Sequence, residues 1–280
     1  MTAEPAANAD QIAYWNAIAG VTWAALQDLL DRQIDPLGRV AMDALAPQPG
    51  ERVLDIGCGC GQTSLELAQR VGAHGHVQGV DISAPMLEIA RRRTTDAGHI
   101  NFLEADAQTY AFPPGAHDAA FSRFGVMFFE DPVAAFANIA KALHHGGRLA
   151  FVCWRPMAEN GWMSLPLVAA LPHIPPPAPP EPNAPGPFAF ADAERVRAIL
   201  AQAGFTDIEI RPHDQLIGGN DLEATVALSL RVGPLGAILR DNPHLKESVV
   251  GAIHEALAPH VTPQGVFLPS ATWIVQAKRP

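Results

Sequence analysis

Cysteine is scarce in this 280-residue chain: Cys58, Cys60 and Cys153 are an odd, low count that gives no disulfide framework. That usage fits a reducing compartment, and a cytoplasmic location is expected. Cys58 and Cys60 are two thiols one residue apart, too few for a closed zinc site, so both read as small loop residues and no metal is expected. Tyrosine is scarcer still. Neither Tyr14 nor Tyr110 is followed by a lysine four residues on, so the Tyr-x-x-x-Lys pair of an oxidoreductase is missing. Positive charge is also in short supply, with 19 Lys and Arg against 29 Asp and Glu and a formal net charge of −10. That balance disfavours a nucleic-acid partner. The one dense basic run, Arg91 to Arg93, reads as the solvated end of a helix. No apolar run approaches the roughly 20 residues of a membrane span. Met1 to Asp10 lacks the basic-then-apolar order of a signal peptide. No internal repeat is visible.

What the chain does have is apolar bulk: it is 48% hydrophobic and 17% charged, enough for a sizeable core. Asp10 to Leu45 has helical periodicity, with Ile12, Trp15, Ile18 and Ala19 on one face and Gly20 and Asp35-Pro36 as punctuation. Strands and helices then alternate. Val53–Ile56, His76–Asp81, Ile100–Glu104, Ala116–Phe121 and Arg148–Trp154 read as strands. Helices are expected over Gln62–Val71, from Ser83 to about Arg93, and over Val133–Leu143. This alternation predicts a parallel sheet covered on both faces. Pro156 to Pro187 breaks the rhythm, with nine prolines from Pro172 to Pro187, and predicts extended chain without a regular core element. A helix over Asp192–Ala203 and a strand over Thr206–Ile210 follow. Two amphipathic helices, Asp221–Leu239 and Leu245–Leu257, precede a final strand within Gly265–Ala277.

Gly57, Gly59 and Gly61 stand directly after the first strand and open a helix. Glycines there let the backbone approach a ligand and take φ values that other residues avoid. The spacing is G-x-G-x-G. A dinucleotide fingerprint, G-x-G-x-x-G, would place its third glycine at Gln62, so the chain departs from it. Asp81, twenty residues after Gly61 at the end of the second strand, is placed to accept ribose hydroxyls. The combination points to an adenosine-containing ligand and leaves NAD and S-adenosylmethionine (SAM) both open.

The motifs around these residues resemble those of class I SAM-dependent methyltransferases. Asp55-Ile56-Gly57-Cys58-Gly59-Cys60-Gly61 is similar to the first motif of that family and Gly79 to Leu87 to its second. Glu104-Ala105-Asp106-Ala107 is similar to the third, Phe121 to Phe129 to the fourth-strand motif, and Leu143 to Leu149 to the turn before the fifth strand. The likeness is nearest to the small-molecule branch similar to ubiquinone and menaquinone biosynthesis enzymes. It covers residues 50–155 strongly and the N-terminal helices more loosely. The resemblance implies a Rossmann-like, seven-stranded, mostly parallel α/β sheet with its last strand antiparallel and a helical cap. It also implies SAM as cofactor and S-adenosylhomocysteine (SAH) as product. By this likeness Gly57, Gly59 and Gly61 let the methionine part of SAM pass, Asp81 takes the ribose diol, and Ile82 and Met86 sandwich the adenine. Asp106 reads the adenine amino group, with the Ala107 N–H on a ring nitrogen. Asp55 holds the loop or the amino group, and Ser122 belongs to the fourth-strand motif beside the cofactor.

Aromatic residues complete the candidate set. Ring faces attract cations, so Trp15 suits a sulfonium and Trp23 is an acceptor-side candidate, although eight-residue spacing also suits a plain helical core face. Arg123, Phe124, Trp154 and Trp162 are further acceptor-side candidates, with Arg123 read either as an anion anchor or as a structural ion pair. No catalytic residue is assigned. His117, Asp131, His144 and His173 are the general-base candidates near strand ends. His144-His145 replace the residues expected in the turn before the fifth strand and read as a polar surface turn. The organisation expected is 1–49 as N-terminal cap helices, 50–155 as SAM-binding core and 156–187 as a Pro-rich lid or linker. Residues 188–280 are the C-terminal part of the sheet, with a helical insertion over 221–257. The activity expected is methyl transfer to a small-molecule acceptor by a monomer or homodimer. An NAD-linked oxidoreductase and a non-catalytic SAM-binding protein are the alternatives.

Overall fold

The computed structural model describes residues 7–94, 98–175, 181 and 183–280. Three helices open the chain: α1 (Ala9–Asn16), α2 (Ile18–Ala25) and α3 (Gln27–Leu45). Then come β1 (Arg52–Ile56), α4 (Gln62–Val71), β2 (His76–Asp81), α5 (Ala84–Arg93), β3 (Ile100–Glu104) and β4 (His117–Arg123). They are followed by α6 (Pro132–Ala142), β5 (Leu143–Trp154), α7 (Gly161–Ala170), α8 (Ala193–Gln202) and β6 (Thr206–Asn220). The chain closes with α9 (Leu222–Ser229), α10 (Gly233–Asp241), α11 (Lys246–Leu257), β7 (Val261–Thr262) and β8 (Gly265–Lys278).

The sheet runs β3-β2-β1-β4-β5-β8-β6, with the two-residue β7 folded onto β8. Strands β1 to β5 are parallel, and β8 is antiparallel to both β5 and β6. This is the mostly parallel, Rossmann-like sheet the alternation and the motifs predict. Its centre is apolar on both faces, as a strand between helical layers must be: Val53 and Leu54 of β1 and Ala119, Ala120 and Phe121 of β4 have no exposure. The chain crosses from one side of β1 to the other between β3 and β4. The carboxyl ends of β1 and β4 therefore border the crevice where open α/β sheets receive ligands.

Several local expectations need correcting. The N-terminal helical stretch breaks at Ala17 and Leu26, not at Gly20 or Pro36. Gly20 lies inside α2, where a Cβ would meet the Trp15 carbonyl oxygen at 1.9 Å and the Ser83 hydroxyl at 2.6 Å. Pro36 lies inside α3, whose apolar stripe of Leu30, Ile34, Leu37, Ala41 and Leu45 is buried and outweighs the one lost backbone bond. Ile12 and Ile18 do not share a buried face with Trp15 and Ala19; they are solvent-facing. The extended chain predicted for Pro156–Pro187 contains α7 instead. Met163, Leu167 and Ala170 of α7 are buried, and Leu167 and Ala170 join Val226, Leu239, Val249 and Ile253 in a second apolar cluster. Pro176, Pro177, Pro179, Pro180 and Pro182 of that run lie outside the described residues. Strand β6 continues ten residues past the expected Ile210, to Asn220, because it pairs with β8 as far as Val266. The helix expected over Asp221–Leu239 is two helices, broken where Gly233 takes φ +73° ahead of Pro234. No single helix among the described residues is long and apolar enough to cross a membrane.

Candidate functional site

The turn after β1 is shaped by three left-handed glycines, Gly57, Gly59 and Gly61, at φ +65°, +53° and +79°. Side-chain-bearing residues seldom take such angles. The turn is tied to β2 by the Gly57 and Cys58 amides, which donate to the Val80 carbonyl at 2.8 and 3.2 Å. The Gly59 amide donates to Asp81 Oδ2 and the Ser83 amide to Asp81 Oδ1, each at 2.8 Å. Burial pushes the Asp81 carboxyl above its ordinary range, against the pull of these amides. An ionised carboxylate has about four acceptor positions. Two are taken by amides, which leaves room for a pair of hydroxyls.

Asp55 lies two residues deeper, level with Gly79 of β2, and has no exposure. Its Oδ2 accepts from the Thr63 and Ser64 hydroxyls at 2.7 and 2.6 Å, while Oδ1 has no partner. Burial pushes the Asp55 carboxyl up to about 6, although both hydroxyls lower it. A buried carboxylate oxygen without a donor calls for one.

The N-terminal helices are clasped to this frame by side-chain amides. Asn8 Nδ2 donates to Asp106 Oδ2 at 2.9 Å and to Gln108 Oε1 at 3.1 Å, and the Asn8 N–H donates to Glu130 at 2.7 Å. Asn16 Nδ2 donates to the Ile82 carbonyl at 2.7 Å and its Oδ1 accepts from the Ala84 N–H at 2.9 Å. The Ser83 hydroxyl donates to the Trp15 carbonyl at 2.8 Å. These bonds hold Trp15 edge-on to Trp23 and Phe128, with centroids 5.8 and 5.1 Å apart.

Beyond β4 and β5 the surroundings divide into a charged floor and an aromatic wall. Asp31 of α3 bridges Arg93 and Arg123, at 3.0 and 3.1 Å, and Arg123 also donates to Gln62 Oε1 at 2.5 Å. Opposite, the Phe124 ring lies flat on Trp154, with centroids 4.0 Å apart and planes 6° apart, and Trp154 meets Trp162 at 5.0 Å. All of these residues except Arg93 and Gln62 line one cavity of about 310 Å³, within the size range of small-molecule sites. Helices α1, α3, α7 and α10 close it through Gln11, Trp15, Leu30, Ile34, Met163 and Ala237. Among the described residues its acidic groups are Asp31, Asp81 and Asp106, and its basic group is Arg123.

Of the residues read from the sequence, Trp15, Trp23, Gly57, Gly59, Asp81, Ile82, Met86, Asp106, Ala107, Arg123, Phe124, Trp154 and Trp162 line this cavity. Asp55, Gly61 and Ser122 do not. Gly61 faces α5 and β3, where a Cβ would meet Ala90 at 2.9 Å and Phe102 at 3.0 Å. The Ser122 hydroxyl donates to the Ile56 carbonyl at 2.7 Å, bracing the loop from behind. Arg123 is a structural ion pair that also reaches the cavity. His117, Asp131, His144 and His173 are not on its wall. His117 is buried at the far end of β4, against Gln78, where burial lowers its pKa. Cys58 and Cys60 line the cavity as buried thiols; burial pushes Cys60 up to about 12 and Cys58 well above its usual value. The sequence reading missed Asn8, Gln11, Asn16 and Asp31. Asn8, ahead of the first helical turn, and Asp31, four residues before Asp35, carried no motif that sets them apart.

A family profile described as "Methyltransferase domain" matches residues 53–147. An aklanonic acid methyltransferase from Streptomyces sp. (strain C5) is 43% identical over 118 residues, covering 41% of this chain and 54% of that protein. A demethylmenaquinone methyltransferase from Thermus thermophilus is 38% identical over 125 residues, covering 44% of this chain and 56% of that protein. The chain thus spans about half the length of these curated relatives. Among solved structures, the YcgJ protein from Bacillus subtilis is similar with a TM-score of 0.57 at 16% identity, covering 86% of this chain and 97% of that one. At that identity the likeness speaks for the fold alone. Five motifs in order, the sheet order that carries them and the matched domain agree: residues 53–147 form a methyltransferase domain of the class I SAM-dependent type, whose cofactor is S-adenosylmethionine.

Proposed function

We propose that the chain transfers the methyl group of SAM to a small, largely apolar acceptor held in the 310 Å³ cavity. The observation that carries this reading is continuity. Gly57, Asp81 and Asp106 on the donor side and Arg123, Phe124, Trp154 and Trp162 on the other side face the same enclosed space. When bound, SAM supplies a methyl group on a sulfonium, already activated for in-line displacement. The chain's own task is then alignment and exclusion of water. Asp81 receives the ribose hydroxyls on its two free acceptor positions. Asp55, behind the cavity wall, holds the start of α4 through Thr63 and Ser64 and places a negative charge behind the loop, and Asp106 and Gln11 offer acceptors toward the adenine end. Residues 50–155 hold the donor in this reading, the helices of 7–49 close over it and extend to the acceptor side through Asp31, and 156–175 with the 221–257 insertion close over the acceptor.

The two relatives, methyltransferases named for aklanonic acid and for demethylmenaquinone, support a small-molecule acceptor. The test has two parts. Calorimetry should give SAH binding in the micromolar range or tighter, about −8 kcal/mol or better. A SAM-consumption assay across phenols, quinols, amines and thiols should then find a substrate. Stabilisation by NAD with none by SAH would overturn the reading.

A further inference from the structure

We propose that Phe124 is a positioning residue that presents, with Trp154, a stacking platform for a flat, conjugated, uncharged acceptor ring. The inference rests on the methyl-transfer reading and narrows its substrate class. It starts from the backbone. Phe124 has φ +62°, in the left-handed region, and is the only aromatic residue among the described ones to do so. For a bulky side chain that conformation costs stability, and such strain persists where its surroundings over-determine it. Here they do. The Phe124 N–H donates to the Val152 carbonyl at 3.1 Å, and the next residue, Gly125, is pressed against Gly57. A glycine at 124 would meet the same backbone demands without strain. The chain carries phenylalanine instead, so the ring has to be what the strain maintains.

The ring's geometry suggests its use. Every other aromatic pair among the described residues has centroids 4.9–6.5 Å apart and planes at least 28° apart. Phe124 and Trp154, at 4.0 Å and 6°, form the closest and flattest pair, and both line the cavity just beyond the ends of β4 and β5. Flat faces stacked in this way match another flat face better than a puckered ring. Charge narrows the class further. The guanidinium of Arg123 is held by Asp31 and Gln62, and the wall around the stack is apolar, with Trp162, Met163 and Phe188. An uncharged conjugated ring suits that wall better than an isolated anion.

The test compares 2-naphthol with its saturated counterpart decahydro-2-naphthol, each titrated by calorimetry into wild type, Phe124→Gly and Phe124→Leu, with and without SAH. Wild type should bind the flat ring about tenfold tighter than the puckered one. Both variants should cut that preference below about threefold while leaving SAH affinity within about twofold. Phe124→Gly should melt below wild type, because a buried ring is lost and glycine frees the unfolded chain, with relief of the strained backbone offsetting part of that loss. Phe124→Leu, which keeps the strained backbone, reports the preference if the glycine variant misfolds. Equal binding of the two rings by wild type, binding of neither, or a preference that survives both substitutions would overturn the proposal. Wild type that binds 2-naphthol selectively but fails to bind SAH would instead sink the methyl-transfer reading and leave the platform standing.

Discussion

Gly57 and Gly125 pack back to back. A Cβ on Gly57 would lie 2.6 Å from the Gly125 Cα, and a Cβ on Gly125 would lie 2.8 Å from the Gly57 Cα. The turn after β1 and the turn after β4 therefore touch backbone to backbone, and the cofactor loop is set by this contact as well as by its own dihedrals.

Gly125→Ala isolates that contact. Gly125 has φ −77°, so alanine fits its backbone, and the clash is with main-chain atoms that no rotamer can move. A loss of about 2 kcal/mol in denaturant unfolding is expected, together with SAH binding weakened more than about tenfold. Gly251→Ala, in α11 where nothing lies within 4 Å of the added Cβ, is the contrast. It should gain up to about 1 kcal/mol and leave SAH binding alone. Similar behaviour of the two variants would show that the loop contact is not specific.

Asp55 predicts opposite pH trends for stability and for cofactor binding. Its carboxyl moves from 3.8 to about 6 on folding because burial penalises the charge. The folded state therefore holds the proton more tightly. The stability contribution is complete below about pH 4, is lost as pH rises through 6, and then levels off, spanning about 3 kcal/mol. On the proposed reading binding should run the other way, since the ionised Asp55, just behind the loop, attracts the SAH ammonium through the wall. Asp55→Asn removes both slopes. Melting curves and SAH titrations between about pH 3 and 8 on the two proteins, taken as differences so that other groups cancel, check this (the range brackets both carboxyl positions). Parallel stability curves would remove the buried charge from the account.

The parts of this site that were legible in the sequence are those where backbone conformation dictates residue type. Gly57 and Gly59 had to be glycines to hold φ near +60°, and Asp81 had to follow β2 to meet the loop amides. The parallel sheet was legible because buried strands are apolar throughout. What was hidden depends on contacts between distant residues. Asn8 reaches Asp106 across 98 positions and Asp31 reaches Arg123 across 92, and no local pattern distinguishes either from a surface polar residue. Helix α7 was hidden for another reason. Pro166 lies within it and nine prolines follow, so local propensity argued for extended chain while burial against α9–α11 decided otherwise.

Asn16 should act as a local latch. Its amide satisfies one carbonyl and one N–H at the start of α5, next to Ile82, and the side chain itself is solvent-facing. Asn16→Ala removes both bonds, and a third to the Ile12 carbonyl of its own helix, without opening a core cavity, so global unfolding should shift by no more than about 1 kcal/mol. Helices α1 and α2 should open more often. Limited proteolysis near Ala17, where the chain breaks between the two helices, should speed up about fivefold, and SAH binding should weaken about threefold. Bound SAH should protect wild type at this position more than the variant. Equal cleavage rates with and without SAH in wild type would mean that these helices do not close on the cofactor.

The Asp31 bridge predicts an asymmetry between its partners. Asp31 is the carboxylate within salt-bridge distance of both Arg93 and Arg123, whose side chains are 27% and 12% exposed. Asp31→Asn leaves two partly buried guanidiniums without that charge partner, and a loss of about 2 kcal/mol is expected, less than for a fully buried pair because solvent still screens the site. Arg123→Met should cost less, about 1 kcal/mol, because Asp31 keeps Arg93 and the methionine stem still fills the wall. The double variant should cost less than the sum of the two, a coupling that a double-mutant cycle in urea reads directly. On the proposed reading, in which Asp31 and Arg123 face the acceptor, both single variants should raise the acceptor KM while leaving SAH affinity within about twofold. Additive costs with an unchanged KM would reduce the bridge to a surface ion pair, and SAH affinity falling in step with stability would place it on the donor side instead.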